Sequence, residues 1–182
     1  MSVTVACRAL AARPWTRHVR VRGEQIVRIL GLEQDELSLA LVDDAEIRAL
    51  NAVYRKRDRP TDVLAFALTE DVSPGVPVPV ATTPRKGRVL GDVVISIDTA
   101  ATQARDDGVE IGARLDALLV HGVLHLLGYD HERSPAEERR MQRKERAVRA
   151  ALPRIARRRP VSGIRGAATD ARRRRARSGA RR

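Results

Sequence analysis

Three of the four histidines in this chain of 182 residues fall in one short stretch, within Leu118 to His131, which reads LLVHGVLHLLGYDH. His121 and His125 are four residues apart, so a helix projects both from one face. Gly128 can end that helix in a left-handed conformation at no steric cost, and the reversed chain then brings His131 round as a third ligand. Leu115, Leu118, Leu119, Val120, Val123, Leu124, Leu126 and Leu127 make the helix, predicted over about 112–127, apolar almost all round. Such a helix is buried. Buried histidines need partners, and several together need a shared one. The stretch therefore predicts a site for one transition metal ion. Three protein ligands leave a tetrahedral ion one open position, the arrangement of a catalytic zinc centre, although imidazole also suits copper, nickel or iron.

The helix resembles the H-E-x-x-H element of zinc proteases, with one departure. The position of the general-base glutamate is occupied by Gly122, which disfavours peptide hydrolysis by that route. A glycine inside a helix costs about 1 kcal/mol, so Gly122 predicts close approach of another backbone or of a substrate.

Around this helix the pattern predicts four strands and five helices: strands at 3–7, 37–42, 61–68 and 91–97, helices at 24–30, 43–54, 99–106, 112–127 and 134–152. Leu37 to Val42 alternates with period two. Ser134-Pro135-Ala136-Glu137 is a capping box with proline at the first helical position. Residues 69–88 hold four prolines and two glycines and read as a surface loop. The class is α+β, a mixed four-stranded sheet packed with about five helices.

The net charge of +12 is uneven. Residues 153–182 carry twelve arginines, no lysine and one acid, Asp170, whereas residues 1–152 are nearly neutral. The division is thus a domain over 1–152 and an Arg-rich tail over 153–182, expected to be disordered because it has too little apolar surface to order itself. Such a tail would bind RNA phosphates in a salt-dependent way, selected for it or not. The single cysteine, Cys7, excludes an intramolecular disulfide and argues for a reducing compartment. The five arginines before Glu24 could pass for a presequence, but Val3 to Cys7 already reads as a strand. No apolar run approaches a membrane span, so the expected location is the cytoplasm.

Several other residues carry weaker signals. Arg55, beside Lys56, Arg57 and Arg59, reads from its surroundings alone as a solvated loop charge. Asp130 reads equally as a group orienting a histidine and as a turn residue after Gly128. Asp62 and Asp92 are expected at strand ends, His18 on the surface, and Trp15 and Tyr54 in packing. Four aromatic residues in all argue against an aromatic platform for single-stranded RNA.

His121 to His131, HGVLHLLGYDH, does not stand alone. With it come Leu50-Asn51, Tyr54-Arg55, Thr61-Asp62-Val63-Leu64, Phe66, Gly91-Asp92-Val93-Val94-Ile95-Ser96, and Met141 and Glu145. Together these closely resemble the bacterial YbeY family over residues 1–152. The resemblance implies a single-domain metalloprotein with a zinc-protease-like helix beside a mixed sheet. It implies a metal-dependent, single-strand-specific endoribonuclease acting in maturation of ribosomal RNA, at the 3′ end of the small-subunit RNA, and in ribosome quality control. It implies one zinc ion per chain held by His121, His125 and His131, ribosomal RNA or the small subunit as partner, and Arg55 as a functional arginine rather than a solvated one. Two departures stand out: Ala65 and Ala67 replace the usual serine and proline around Phe66, and the 69–88 segment is longer than usual. Two other readings remain open, an assembly factor with a mainly structural metal and a metallopeptidase.

Overall fold

The computed structural model describes residues 2–68 and 87–153. Most of the predicted 69–88 loop, and the tail beyond Pro153, lie outside the described residues. The strands are β1 (Ser2–Cys7), β2 (Glu36–Val42), β3 (Val63–Ala67) and β4 (Val89–Ser96). The helices are α1 (Thr16–Ile29), α2 (Asp44–Arg55), α3 (Ile97–Asp106), α4 (Ile111–Leu126) and α5 (Pro135–Ala151), with a short 3-10 helix over Leu10–Trp15. The fold is α+β, as the sequence predicts.

The sheet runs β1-β2-β4-β3. β1, β2 and β4 are parallel, and β3 joins β4 antiparallel at the edge. Alternation in β2 sorts its residues: Leu37, Leu39 and Leu41 enter the large core, and Val42 enters a smaller one with Ile47, Leu64 and Val94. The large core is closed by α1, α4 and α5, and the smaller by α2. Helix α4 lies against α1, α3, α5, β3 and β4, which is why it is apolar on nearly every side. None of the described helices is long and apolar enough to cross a membrane.

Three expectations need correction. Helix α1 begins at Thr16 rather than Glu24. Its buried stripe of Val19, Gly23, Ile26 and Val27 is masked in the sequence by three intervening charges, and one of them, Arg22, is itself buried. Asp92 is not at a strand end but inside β4, paired with Ser38 on one side and Phe66 on the other. Backbone pairing on both sides fixes the extent of β4 whatever the side chain. His18 is not a bare surface residue. Its Nε2 lies 2.8 Å from Asp116 Oδ1, its side chain is only 16% exposed, and Trp15 meets it edge-on.

Candidate metal centre

Helix α4 ends as its sequence directs. Gly128 adopts φ +82°, its N–H donates to His125 O, and Tyr129 N–H donates to Leu124 O. This pair of bonds satisfies carbonyls that the last turn would otherwise leave unpaired. The turn sends the chain back across the helix end. His121, His125 and His131 consequently offer one nitrogen each, all within 4.8 Å of one another.

The hydrogen bonding sorts the ring atoms. His121 Nδ1 lies 2.7 Å from Glu145 Oε1. A carboxylate there accepts the Nδ1 proton, so the lone pair of His121 sits on Nε2. That atom lies 3.0 Å from His125 Nε2. His125 is pushed down to a pKa of about 4, first by burial, then by electrostatic interaction with His121 and His131. Arg55 adds to the depression, while Asp130 opposes it. His125 is therefore a neutral imidazole at neutral pH, the form that ligates a cation. Glu145 is held below the usual carboxylate range, chiefly by its bond to His121 and against partial burial. Three imidazole nitrogens converge, and one of the rings is held by a carboxylate, a donor set that suits a zinc-type ion. The cluster can hold a metal ion.

Glu145 is the residue that the motif contained without a visible role. It stands on α5 between Met141, 1% exposed, and Val148, 2% exposed, four residues after the first and three before the second. A glutamate in the apolar stripe of a helix is the signal that marks it, because a charge there needs a buried partner. Asp130, by contrast, is bonded within its own turn. Its Oδ1 accepts from Glu132 N at 2.9 Å and its Oδ2 from Arg133 Nε at 3.0 Å, and neither oxygen bonds a histidine. Partial burial opposes its ionisation, but those two bonds hold its pKa low.

Gly122 is explained by packing. A Cβ there would sit 2.6 Å from Val93 Cγ1 and 3.3 Å from Val63 Cγ2. The close approach is that of sheet side chains rather than of a backbone, and Gly122 also lines the groove beside the histidines. The same contact leaves no room at position 122 for a glutamate of the protease type.

The three histidines line a groove of about 410 Å³ together with Asn51, Arg55, Arg57, Arg59 and residues 63–65 of edge strand β3. Arg55, the last residue of α2, thus shares the groove with the histidines and is near enough to lower the pKa of His125. Asp62 binds structurally, accepting from Val63 N and Gln103 Nε2. Tyr54 packs edge-on against Phe66 with centroids 4.8 Å apart, yet is 63% exposed. Trp15 is packed against the large core.

Known proteins with these features are numerous. The sequence profile described as Endoribonuclease YbeY matches residues 13–153. The chain belongs to the endoribonuclease YbeY family. An Endoribonuclease YbeY of Geobacter metallireducens is 43% identical over 155 residues, 85% of this chain and 97% of that protein. One of Anaeromyxobacter dehalogenans is 50% identical over 129 residues, 71% of this chain, and the match spans 60% of that relative's length. A Thermotoga maritima protein solved in solution is similar in fold, with a TM-score of 0.55 and 25% identity over 82% of this chain and 87% of that one. The YbeY match covers α1 to α5 and stops where the arginine-rich tail begins.

Proposed function

We propose that this chain is a metal-dependent endoribonuclease that cuts single-stranded ribosomal RNA, acting at the 3′ end of the small-subunit RNA and in ribosome quality control. The observation that carries the reading is the convergence of three imidazole nitrogens in a groove that Arg55 also lines, in a chain of the YbeY family. One zinc ion per chain, held by His121, His125 and His131, is the cofactor of this proposal. When bound, such an ion supplies Lewis-acid charge to a phosphodiester and lowers the pKa of water to about 7.

The chain's own groups do the rest. Glu145 accepts a hydrogen bond from His121 Nδ1–H and so leaves the lone pair on Nε2 for a metal. Burial keeps His125 unprotonated. The Arg55 guanidinium binds phosphate oxygens, and its planar fork suits two of them at once. β3 and α4 form a floor without side-chain bulk at Gly122 and Ala65. The cytoplasm, with the small subunit as partner, is the compartment of this proposal.

The test is cleavage of ribosomal RNA by nuclease-free protein, stripped with a chelator and then reloaded with zinc. The reading expects cleavage that is lost on stripping, restored by zinc, and lost in His121→Ala. Equal cleavage by His121→Ala preparations would remove the reading. If the metal were mainly structural, His125→Ala would melt far below the wild type, and any folded fraction would still bind small subunits.

A further inference from the structure

Part of the groove that the histidines line is a loop with a built conformation. Asn51 is 3% exposed, a buried polar residue near the end of α2. Its side-chain Nδ2 donates to Arg59 O at 2.8 Å. Its carbonyl accepts from Lys56 N and from Arg57 N. One residue thus ties down three points of the segment that follows the helix. Lys56 takes the left-handed conformation, φ 58°, and its Nζ donates to Val53 O at 3.0 Å, which spends that cation on the helix end. Asp58 is gripped by Arg48 through both oxygens, at 2.7 and 2.9 Å. The loop's other carboxylate, Asp62, accepts from Val63 N and Gln103 Nε2, so both are already committed.

What remains is Arg55, Arg57 and Arg59. All three line the groove and all three are exposed. Among the described residues none of them pairs with a carboxylate, although seven other arginines do. Three unneutralised guanidiniums beside one cleft repel one another, and a polyanion relieves that repulsion. A single phosphate cannot occupy three such forks, whereas consecutive phosphates of one strand can.

We infer that Asn51 is the positioning residue of a phosphate-binding loop, in which Arg55 holds the reacting phosphate and Arg57 and Arg59 hold its neighbours along the same strand. The site then selects a polynucleotide backbone over a dinucleotide. This rests on the RNA-cleaving reading above. It assigns to the folded domain a salt-dependent contact that the tail's composition would otherwise claim.

The test uses the full chain loaded with zinc and compares a long single-stranded RNA with a dinucleotide bearing one phosphodiester, over a salt series. Each phosphate neutralised on a single strand contributes about 0.7 to the slope of log affinity against log salt. The double variant Arg57→Gln, Arg59→Gln should lower that slope, read from KM, by about 1.4. On the long strand its KM should rise roughly tenfold at low salt and its kcat fall by less than about twofold. On the dinucleotide the KM rise should be at least about fivefold smaller. Asn51→Ala should reproduce the KM rise with metal content retained. Because Asn51 is buried, its fold is checked by circular dichroism, and the surface double variant decides the matter if Asn51→Ala unfolds. An unchanged salt slope, or an equal loss on both substrates, overturns the inference. A wild-type chain that cleaves no RNA would instead overturn the reading on which it rests.

Discussion

Helix α4 carries a histidine problem at each end and solves the two differently. Near its start Asp116 meets His18 at 2.8 Å through one oxygen and Arg22 at 2.9 Å through the other. One imidazole and one guanidinium share one carboxylate, and the arrangement is complete. Near its end three imidazoles stand together, and only His121 bonds a carboxylate, Glu145. The remaining ring nitrogens point at each other, with His121 and His125 only 3.0 Å apart. The first cluster is a structural polar network and the second is a set of donors that could hold a metal ion. Counting partners, rather than counting histidines, separates them.

That contrast can be broken at either end. The largest effect is expected at the ligand end: His125→Ala should lose metal and reduce RNA cleavage by at least about a hundredfold, measured with metal analysis beside a cleavage assay. Next, Asp116→Ala should lower stability by about 3 kcal/mol, because it leaves Arg22 buried without that carboxylate. Urea unfolding would show it, and metal content should stay at the wild-type level. If Asp116→Ala lost metal as His125→Ala does, the two clusters would not be separate devices.

Much of this fold is local and therefore legible. The alternation in β2, the capping box before α5 and the glycine turn after α4 are each written within a few residues. What could not be read is pairing at long range. His18 looked bare because its carboxylate lies 98 positions away, and Glu145 stood in the motif without a role because its histidine lies 24 positions away. Arg55 looked solvated for the same reason: the groove that it lines is shared with α4 and β3. Gly122 announced a close approach correctly, but no local pattern could say that Val93 was the neighbour.

Two smaller effects sharpen the comparison. Glu145→Gln should weaken zinc affinity by about 10- to 100-fold while leaving the fold intact, since it removes the acceptor that sets the His121 tautomer. A competition titration against a chelator reads this directly, and unchanged affinity would reduce Glu145 to packing. The smallest effect concerns pH. The pKa of His125 is lowered from 6.5 to about 4 in the folded chain. Between those values the unfolded chain binds the proton and the folded one does not. Metal-free protein should therefore lose stability as pH falls from about 6.5 to about 4, with no further loss from this group below that. Urea midpoints over that range should show a slope that is reduced in His125→Ala.

The central claim is that His121, His125 and His131 act on one ion as a set. The most direct measurement is the zinc-to-protein ratio and dissociation constant of the wild type, compared with His131→Ala, whose side chain lies on the exposed turn rather than in the core. The expected result is one ion per wild-type chain and a loss of affinity of at least about a hundredfold in His131→Ala, with the melting of the metal-free proteins alike. Equal zinc affinity in the two proteins would contradict the claim.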